Sequence, residues 1–288
     1  LSTIKPRVWH ARRNLEMLAG LILKKIFRKN LILVFTSDAQ RQHTKYTKKL
    51  ISRMDAVVAG SRKSAGYLEV PHITISHGIN TETFKPTPNK TNLRFELGLP
   101  DKKLIGCFGR IRPQKGVDIF IEVMIKVCAQ DSMAVGIVCG QTTAEHKEFE
   151  ADLKVRVHNA GFSDRIIFLG TQPSDRLPLL FSALDLYVAP QRNEGFGLTP
   201  LEAMACGVPV IATTAGAFEE MVLNGETGYI VEIEDIINMA ERLVELLSDE
   251  RRRKALAKAS IERVNQHFDI KGEAAALVNL YQDLLSKA

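Results

Sequence analysis

Short apolar runs alternate with helix-length amphipathic segments along most of the chain. The runs are rich in Val, Ile, Leu and Phe, and they fall at Leu31–Thr36, Ala56–Ala59, Ile73–Ser76, Leu104–Phe108, Ala134–Cys139, Ile166–Leu169, Leu186–Ala189, Val208–Ala212 and Gly228–Val231. Continuous apolar strands separated by helices are typical of parallel sheets that helices cover on both faces. The pattern therefore predicts an α/β fold built on parallel sheets.

The chain of 288 residues is long enough for two domains. Residues 77–92 show neither the strand nor the helix period and contain two prolines, so they are the predicted linker. We predict a partial N-terminal domain with the linker over residues 1–92, a C-terminal domain over 93–270, and a final helix over 271–288 that crosses back to the first domain. The first residue is Leu, and no strand with a glycine turn precedes the first helical pattern. We therefore expect the opening part of the first domain to lie outside this sequence.

Charge is distributed unevenly between the two halves. Residues 1–63 contain fifteen Lys or Arg against three acidic residues, a net charge of +12, whereas the rest has 24 basic and 30 acidic residues, a net charge of −6. A basic region of this size attracts anionic surfaces. Nucleic acid is not the predicted partner, because the sequence has no helix-turn-helix, zinc-finger or aromatic RNA-binding motif.

An apolar stripe lies within the basic region. It recurs at helical spacing and is followed by a basic cluster; its members are Leu15, Leu18, Leu21, Ile22 and Ile26, and the cluster is Lys24, Lys25, Arg28 and Lys29. One interpretation is a helix that lies on an anionic bilayer. The other is a core-facing helix whose cationic end suits its own dipole. The stripe alone does not separate them, but further cations at Lys45, Lys48, Lys49, Arg62 and Lys63 favour the first.

A glycine turn follows the strand Leu186–Ala189 and carries two acidic residues. The segment 190–207 reads PQRNEGFGLTPLEAMACG, with Glu194 before the turn and Glu202 in the helix after it. Glycines let the backbone approach a ligand, and free N–H groups at a helix start favour an anion. Thr199 is the predicted N-cap and Pro200 the first helical residue, so Glu202 is either half of a capping box or a ligand-binding residue.

A second turn of the same kind opens the second domain. The run 104–118 reads LIGCFGRIRPQKGVD, and it places Arg110 and Lys115 after a strand and before a helix. Arginine grips a phosphate through two hydrogen bonds and lysine adds a point charge, so together they suit a diphosphate. Two such turns in one parallel sheet lie at the same carboxyl edge. The sequence therefore predicts a site there for a phosphorylated, hydroxyl-rich ligand.

Other chemistries lack their motifs. There is no Gly-x-Gly-x-x-Gly with an acidic residue at ribose distance and no P-loop, which disfavours dinucleotide oxidoreductases and P-loop enzymes. Four cysteines, Cys107, Cys128, Cys139 and Cys206, fall inside apolar patterns without a Cys-x-x-Cys pair, and are predicted to be buried thiols. No metal-ligand spacing is visible, so no metal and no cofactor are expected.

With both turns in place, the chain resembles the retaining GT-B glycosyltransferases of the glycosyltransferase group 1 (GT4-type) family, and it is most similar to the lipopolysaccharide core mannosyltransferases. The resemblance covers almost the whole chain. It is carried by Gly109-Arg110 with Lys115-Gly116, by the Glu194 and Glu202 pair with EGFGL over 194–198, by ACGVPVIA over 205–212, and by HGIN over 77–80. It implies two Rossmann-like domains, the first one truncated.

The resemblance also implies residue roles. Gly109, Arg110 and Lys115 would bind the donor diphosphate, Glu202 the ribose, and Glu194 with Gly195, Phe196, Gly197 and Leu198 the donor sugar. Arg110, Lys115 and Glu194 are the predicted catalytic residues, and no metal is needed. His10, Arg12 and Arg13 lie in a region that lines the acceptor side in relatives. Many relatives have a histidine where this chain has Thr36-Ser37.

The resulting hypothesis is a peripheral enzyme on the cytoplasmic face of the inner membrane. It would transfer mannose from GDP-mannose, the nucleotide-sugar substrate, to the lipid-linked, anionic core of a lipopolysaccharide. Two alternatives stay open at this point. One is the same fold acting with a UDP- or ADP-sugar on a soluble acceptor, and the other is a non-catalytic nucleotide-sugar binder.

Overall fold

The computed structural model describes residues 5–287 and divides the chain into two compact units. One unit comprises the chain up to Gly78 together with the C-terminal segment from Ile270, and the other runs from Ile79 to Asp269. The C-terminal helix therefore groups with the N-terminal part of the chain, although more than 190 residues separate them.

The first unit is built on a four-stranded parallel sheet in the order β1-β2-β3-β4. Its strands are β1 (Arg7–Ala11), β2 (Leu31–Ser37), β3 (Ala56–Ala59) and β4 (Ile73–Thr74). Its helices are α1 (Asn14–Lys25), α2 (Lys45–Ile51), α3 (Arg62–Ala65) and, at the C-terminus, α12 (Ile270–Ser286). Its core packs Met17 and Leu21 of α1 and Leu50 of α2 against Leu33 and Phe35 of β2.

The second unit contains a six-stranded parallel sheet in the order β10-β9-β8-β5-β6-β7. Its strands are β5 (Lys103–Phe108), β6 (Ala134–Cys139), β7 (Ile166–Gly170), β8 (Leu186–Ala189), β9 (Val210–Thr213) and β10 (Gly228–Val231). Its helices are α4 (Lys90–Leu97), α5 (Val117–Gln130), α6 (Lys147–Asn159), α7 (Leu177–Ala183), α8 (Thr199–Ala205), α9 (Phe218–Met221), α10 (Ile236–Ser248) and α11 (Glu250–His267).

Two hydrophobic clusters cover the two faces of this second sheet. Leu104, Val135 and Tyr187 belong to one cluster, whereas their chain neighbours Ile105 and Ala134 belong to the other. Successive side chains of a strand point to opposite faces, so a strand buried on both sides needs an uninterrupted apolar run. That is the reason the sequence shows these strands so clearly, and the predicted α/β fold with parallel sheets is confirmed.

The structure corrects three details of the predicted elements. A strand, β1, precedes the first helix, where the sequence suggested none. The strand predicted at Val208–Ala212 is Val210–Thr213, and the strand predicted at Ile73–Ser76 contains only Ile73 and Thr74. All four cysteines are free and buried, as predicted, and burial raises the pKa of the Cys107 thiol to about 12.

Candidate functional site

The two predicted glycine turns meet at the point where the strand order of the second sheet reverses. β5 pairs directly with β8, through Ile105 opposite Leu186 and Gly106 opposite Tyr187. From this pair the chain builds outward in opposite directions, to β6 and β7 on one side and to β9 and β10 on the other. Ligands of open α/β sheets bind outside the carboxyl ends of the strands at such a switch point.

Gly116 allows the turn after β5 to touch the turn after β8. Its φ angle is +67°, and a Cβ at this position would lie 1.9 Å from the carbonyl oxygen of Pro190. The backbone N–H groups of Arg192 and Asn193 also donate to the carbonyl oxygen of Gln114, at 3.0 and 3.4 Å. The two turns are therefore joined by direct backbone contacts.

Lys115 and Glu194, one from each turn, form an ion pair. Their side chains are only 17% and 18% exposed, so the pair is largely withdrawn from water. The second carboxylate oxygen of Glu194 accepts a hydrogen bond of 3.1 Å from the N–H of Gly195. Two of the three predicted catalytic residues are thus in direct contact.

Arg110 lies in the same turn as Lys115, two residues after β5, and its side chain is exposed. Within residues 5–287 we find no hydrogen bond or ion pair of its guanidinium. Gly109, the residue before it, has a φ angle of +144°. The turn thus presents the Arg110 cation toward solvent.

The segment 194–198 folds back on itself before α8. Phe196 is buried, and its carbonyl oxygen accepts a hydrogen bond of 3.1 Å from the N–H of Ala217. Gly197 has a φ angle of +86°, and a Cβ there would lie 2.4 Å from the ring of Phe218 and 2.8 Å from Cγ of Glu194. Glycine at 197 is therefore needed for this turn, and Leu198 follows it with an exposed side chain.

Glu202 is not part of a capping box. The N-cap of α8 is Leu198, while Thr199 and Pro200 are the first two helical residues and no side chain caps this end. The prediction of Thr199 as N-cap is wrong because the turn enters the helix one residue earlier than the Thr-Pro pair suggests.

The carboxyl group of Glu202 is half-buried and unpaired. Among residues 5–287 we find no hydrogen bond or ion pair for its side chain, and burial raises its pKa to about 7. Partial withdrawal of a carboxylate from water has a free-energy cost when no cation or hydrogen-bond donor stabilises its charge, and the hydroxyl groups of a ligand would offset that cost. The raised pKa of Glu202 and its lack of a partner therefore favour the ligand-binding interpretation of this residue.

Arg192 is a site residue that the sequence analysis missed. Its guanidinium donates to both carboxylate oxygens of Asp118, at 2.8 and 2.7 Å, and to the carbonyl oxygen of Pro113 at 2.7 Å. Arg192 lies two residues before Glu194, and Asp118 lies three residues after Lys115. The sequence shows each residue beside a predicted site residue, but it does not show the pairing across 74 positions.

The sequence profile of the family of glycosyl transferases group 1 matches residues 89–263, which contain all of these site residues. The chain belongs to this family. The prediction of a hexosyltransferase enzyme of the group 1 type is thereby confirmed, whereas the role of each predicted site residue stays a prediction.

Two curated relatives are similar to this glycosyltransferase over almost its whole length. Lipopolysaccharide core biosynthesis mannosyltransferase LpsB of Rhizobium meliloti (strain 1021) is 48% identical over 284 residues, which cover 97% of this chain and 80% of that protein. The corresponding mannosyltransferase LpcC of Rhizobium leguminosarum bv. viciae is 45% identical over 279 residues, covering 97% of this chain and 79% of that protein.

A solved structure shares the fold of the glycosyltransferase. Anabaena Alr3699/HepE, crystallised in complex with UDP and glucose, matches with a TM-score of 0.87 at 23% sequence identity, covering 96% of this chain and 78% of that one. The prediction of a GT-B fold is confirmed by this likeness and by the two parallel sheets.

His10, the predicted acceptor-side histidine of the first unit, has a partner on each ring nitrogen. Nδ1 lies 2.6 Å from the hydroxyl of Tyr281 in α12, and Nε2 lies 2.7 Å from the hydroxyl of Thr36 in β2. Burial, reinforced by the charge of Arg12, lowers the pKa of His10. Arg12 and Arg13 are exposed, and their backbone N–H groups donate to Glu16 at 2.7 and 3.2 Å.

His77 forms a second polar cluster in the first unit. Its Nε2 lies 2.9 Å from a carboxylate oxygen of Asp38, and its Nδ1 lies 2.8 Å from one of Glu273. These hydrogen bonds raise the pKa of His77 to about 9, that to Asp38 most strongly. The cluster ties α12 to the carboxyl ends of β2 and β4.

The apolar stripe of α1 is divided between core and surface. Leu21 is buried, whereas Leu15 and Ile26 are 76% and 71% exposed, so only part of the stripe faces the core and the bilayer interpretation of the rest stays a prediction. Between α1 and α2 lies a groove of about 430 Å³. Its lining combines apolar side chains with three cations: Leu18, Leu21, Ile22, Lys25, Ile26, Tyr46, Lys49, Leu50 and Arg53.

Two of the predicted surface cations are already paired. Lys24 forms an ion pair of 2.6 Å with Asp55, and Lys48 pairs with Glu69.

No helix within residues 5–287 combines the length and the apolarity needed to span a membrane. In the same residues, no group of three or more His, Cys, Asp or Glu side chains is placed to hold a metal ion.

Proposed function

We propose that this glycosyltransferase moves mannose from GDP-mannose to the core of a lipopolysaccharide or another lipid-linked acceptor, with retention of the anomeric configuration and without a metal ion. The two relatives named as lipopolysaccharide core mannosyltransferases support the sugar and the acceptor, since they match over 97% of the chain. The observation that carries the proposal is the contact of Lys115 with Glu194 where the two turns meet at the switch point. Arg110 lies on the same turn as Lys115, and Glu202, whose side chain has no partner within residues 5–287, lies on the helix after Glu194.

The site supplies what a departing nucleoside diphosphate needs. As the bond between the sugar and the phosphate lengthens, negative charge develops on the phosphate oxygens, and fixed cations and N–H groups stabilise it. Arg110 and Lys115, both on the turn after β5, would supply such cations. Lys115 then exchanges its contact with Glu194 for one with the diphosphate, and the released Glu194 accepts hydrogen bonds from sugar hydroxyls.

The proposed transfer needs no nucleophile from the enzyme. The bond from the sugar C1 to the phosphate oxygen breaks, and the acceptor oxygen forms the new bond to C1 on the same face. The acceptor proton passes to the departing phosphate oxygen, whose negative charge attracts it. Glu202, held by burial at a raised pKa, accepts hydrogen bonds from the ribose hydroxyls in its ionised form.

The first unit supplies the surface that meets the membrane. The groove between α1 and α2 presents Lys25, Lys49 and Arg53 beside exposed apolar side chains, and Phe27 at the end of α1 is 61% exposed. Cations around an apolar surface suit an anionic bilayer, which takes the apolar groups at the headgroup boundary. We therefore propose a peripheral enzyme on the cytoplasmic face of the inner membrane.

A thermal-shift panel of GDP-mannose, UDP-glucose, UDP-galactose and ADP-glucose tests the donor. A ligand that binds the folded state raises the melting temperature, and we expect the largest rise with GDP-mannose. A rise with only a UDP- or ADP-sugar would instead support the alternative donor. Binding without sugar transfer to any core acceptor would support a non-catalytic nucleotide-sugar binder.

A matched pair of variants shows whether the switch point is the site that binds. Lys115→Met removes the cation of the ion pair, and we expect it to abolish the thermal shift. Lys254→Met is the control, because Lys254 pairs with Glu250 on the exposed surface of α11 and should leave the shift unchanged. An equal response of the two variants would contradict the proposed site.

A further inference from the structure

Arg192 crosses from the turn after β8 to the turn after β5. Its backbone N–H donates to the carbonyl oxygen of Gln114 at 3.0 Å, and its Nη1 donates to that of Pro113 at 2.7 Å. Pro113 and Gln114 are the two residues before Lys115. One side chain thus contacts the backbone that carries the predicted phosphate-binding lysine.

The guanidinium of Arg192 also binds two carboxylates. It holds Asp118 through two hydrogen bonds of 2.8 and 2.7 Å, and its Nε donates to Glu234 at 2.7 Å. Asp118 lies in the first turn of α5, where the helix dipole favours a negative charge. The planar fork of arginine matches a carboxylate in a way that lysine cannot reproduce.

Glu234, the second carboxylate partner of Arg192, has an unusual backbone conformation. It has a φ angle of +68°, a left-handed conformation that only a few per cent of residues other than glycine adopt. A left-handed conformation at such a residue is unfavourable, and it persists where the surrounding structure holds the backbone in it. The next residue, Asp235, caps α10 through a hydrogen bond of 3.0 Å from the N–H of Asn238. Three segments of the second unit therefore converge on Arg192.

We propose that Arg192 is a positioning residue for the donor diphosphate. Four of the five guanidinium N–H groups point to protein acceptors, so Arg192 acts through the turns it joins rather than on the ligand. It sets the distance between Lys115 and Glu194, because it is bonded to the backbone before one and lies two residues before the other. This inference rests on the proposed function of the switch point.

Two variants of Arg192 separate the effect of its planar guanidinium, which forms paired hydrogen bonds, from the effect of its positive charge. Arg192→Gln removes both, and Arg192→Lys keeps the charge alone. A displacement of a catalytic group by about 1 Å can lower the rate by up to roughly 100-fold. We therefore expect kcat/KM for the donor to fall by about 10- to 100-fold in both variants, with a higher KM for the donor. Arg156→Gln is the control, since Arg156 bonds Asp152 and Glu122 on the exposed surface of the same unit.

A double-mutant cycle assigns the effect to the contact with Asp118. Asp118→Asn should lower kcat/KM as Arg192→Gln does, and the double variant should be no worse than either single variant, because both remove the same interaction. A role in overall stability alone would lower the melting temperature but leave the donor KM of the folded fraction unchanged. Additive losses, or an unchanged donor KM in Arg192→Gln, would overturn the proposal.

Hydrogen exchange provides a measurement that does not depend on activity. The N–H of Asn193 donates to Gln114 across the two turns, so it should exchange faster in Arg192→Gln than in the wild-type protein or in Arg156→Gln. Unchanged exchange at this amide would refute the positioning role. If the wild-type protein transfers no sugar, the proposed function fails, whereas the exchange measurement still decides whether Arg192 holds the turns.

Discussion

At the scale of single residues, the site contains charges that the protein alone does not satisfy. Glu202 is the clearest example, because burial disfavours its ionised form and no partner within residues 5–287 compensates. Such a residue lowers the stability of the protein, and under the proposed function the ribose of the donor offsets that cost. Lys115 and Glu194 differ, since the charge of each is satisfied by the other.

Replacing Glu202 by Gln should change stability in a pH-dependent way. The pKa of Glu202 is about 7 in the folded protein against 4.5 unfolded, so its cost is absent below pH 4.5, grows as pH rises, and is complete above pH 7. At pH 8, we expect Glu202→Gln to raise the free energy of unfolding by up to about 3 kcal/mol. Denaturant titrations at pH 4.5 and pH 8 measure this.

The same variant should weaken nucleotide binding at pH 8, because glutamine lacks the negative charge that accepts hydrogen bonds from the ribose. Glu262→Gln serves as the control, since that carboxylate is exposed on α11. An equal gain in stability at both pH values would show that burial of the charge is not the cause.

The sequence predicted the site residues individually but not their contacts. Glu194 and Lys115 stand in short motifs with recognisable glycines, whereas local spacing left Glu202 open between a capping box and a ligand-binding role. The Lys115–Glu194 and Arg192–Asp118 pairs join positions 79 and 74 residues apart, and their formation depends on β5 and β8 being neighbours. The strand order that makes them neighbours is a property of the folded sheet.

At the scale of secondary-structure elements, complete burial made strands visible in the sequence but did not always fix their bounds, since β9 is fully buried and its predicted bounds were shifted. The central strands β6 and β8 are buried along their whole length, and their predicted bounds match the structure. β1 was missed because it lies at the edge of its sheet, where half-buried residues such as Trp9 and His10 replace a continuous apolar run. The start of α8 was misplaced because the Thr-Pro pair signals a helix start without fixing its first residue.

The contact between the two turns can be tested at this scale by filling the space at Gly116. An added methyl group in Gly116→Ala would meet the backbone of Pro190, and the φ angle of +67° is itself unfavourable for alanine. Gly98→Ala is the matched control, because Gly98 has a φ angle of +70° with open space around it. Gly98→Ala should lower the free energy of unfolding by about 1 kcal/mol, which is the cost of the unfavourable backbone conformation alone.

We expect Gly116→Ala to cost at least about 2 kcal/mol more than Gly98→Ala, since overpacking against rigid backbone adds to the conformational term. It should also abolish nucleotide binding, whereas Gly98→Ala should bind normally. Thermal unfolding and calorimetry with GDP measure the two effects. Equal costs and equal affinities for the two variants would show that the turns need not touch.

At the scale of the whole molecule, charge separates the two ends of the chain. The first 63 residues have a net charge of +12 and the remainder has −6. The basic part contains the α1–α2 groove, and the rest contains the switch point. This division fits an enzyme that binds an anionic surface with one unit and a nucleotide-sugar with the other.

Sedimentation with vesicles tests the membrane surface. The triple variant Lys25→Glu, Lys49→Glu, Arg53→Glu should lose binding to phosphatidylglycerol vesicles by at least roughly 100-fold, because each basic residue near the surface contributes about 1 kcal/mol. A control triple variant reverses Lys154, Lys254 and Lys258, whose side chains are exposed on α6 and α11. Equal binding by the two triple variants would reject the groove as the docking surface.

The most direct test of the central claim is a crystal structure of the protein with GDP bound. We predict that the diphosphate lies at the carboxyl ends of β5 and β8, within hydrogen-bond distance of Arg110 and Lys115, with Lys115 separated from Glu194 and the ribose hydroxyls on Glu202. A nucleotide bound elsewhere, with the Lys115–Glu194 pair intact and Glu202 still unpaired, would contradict the account.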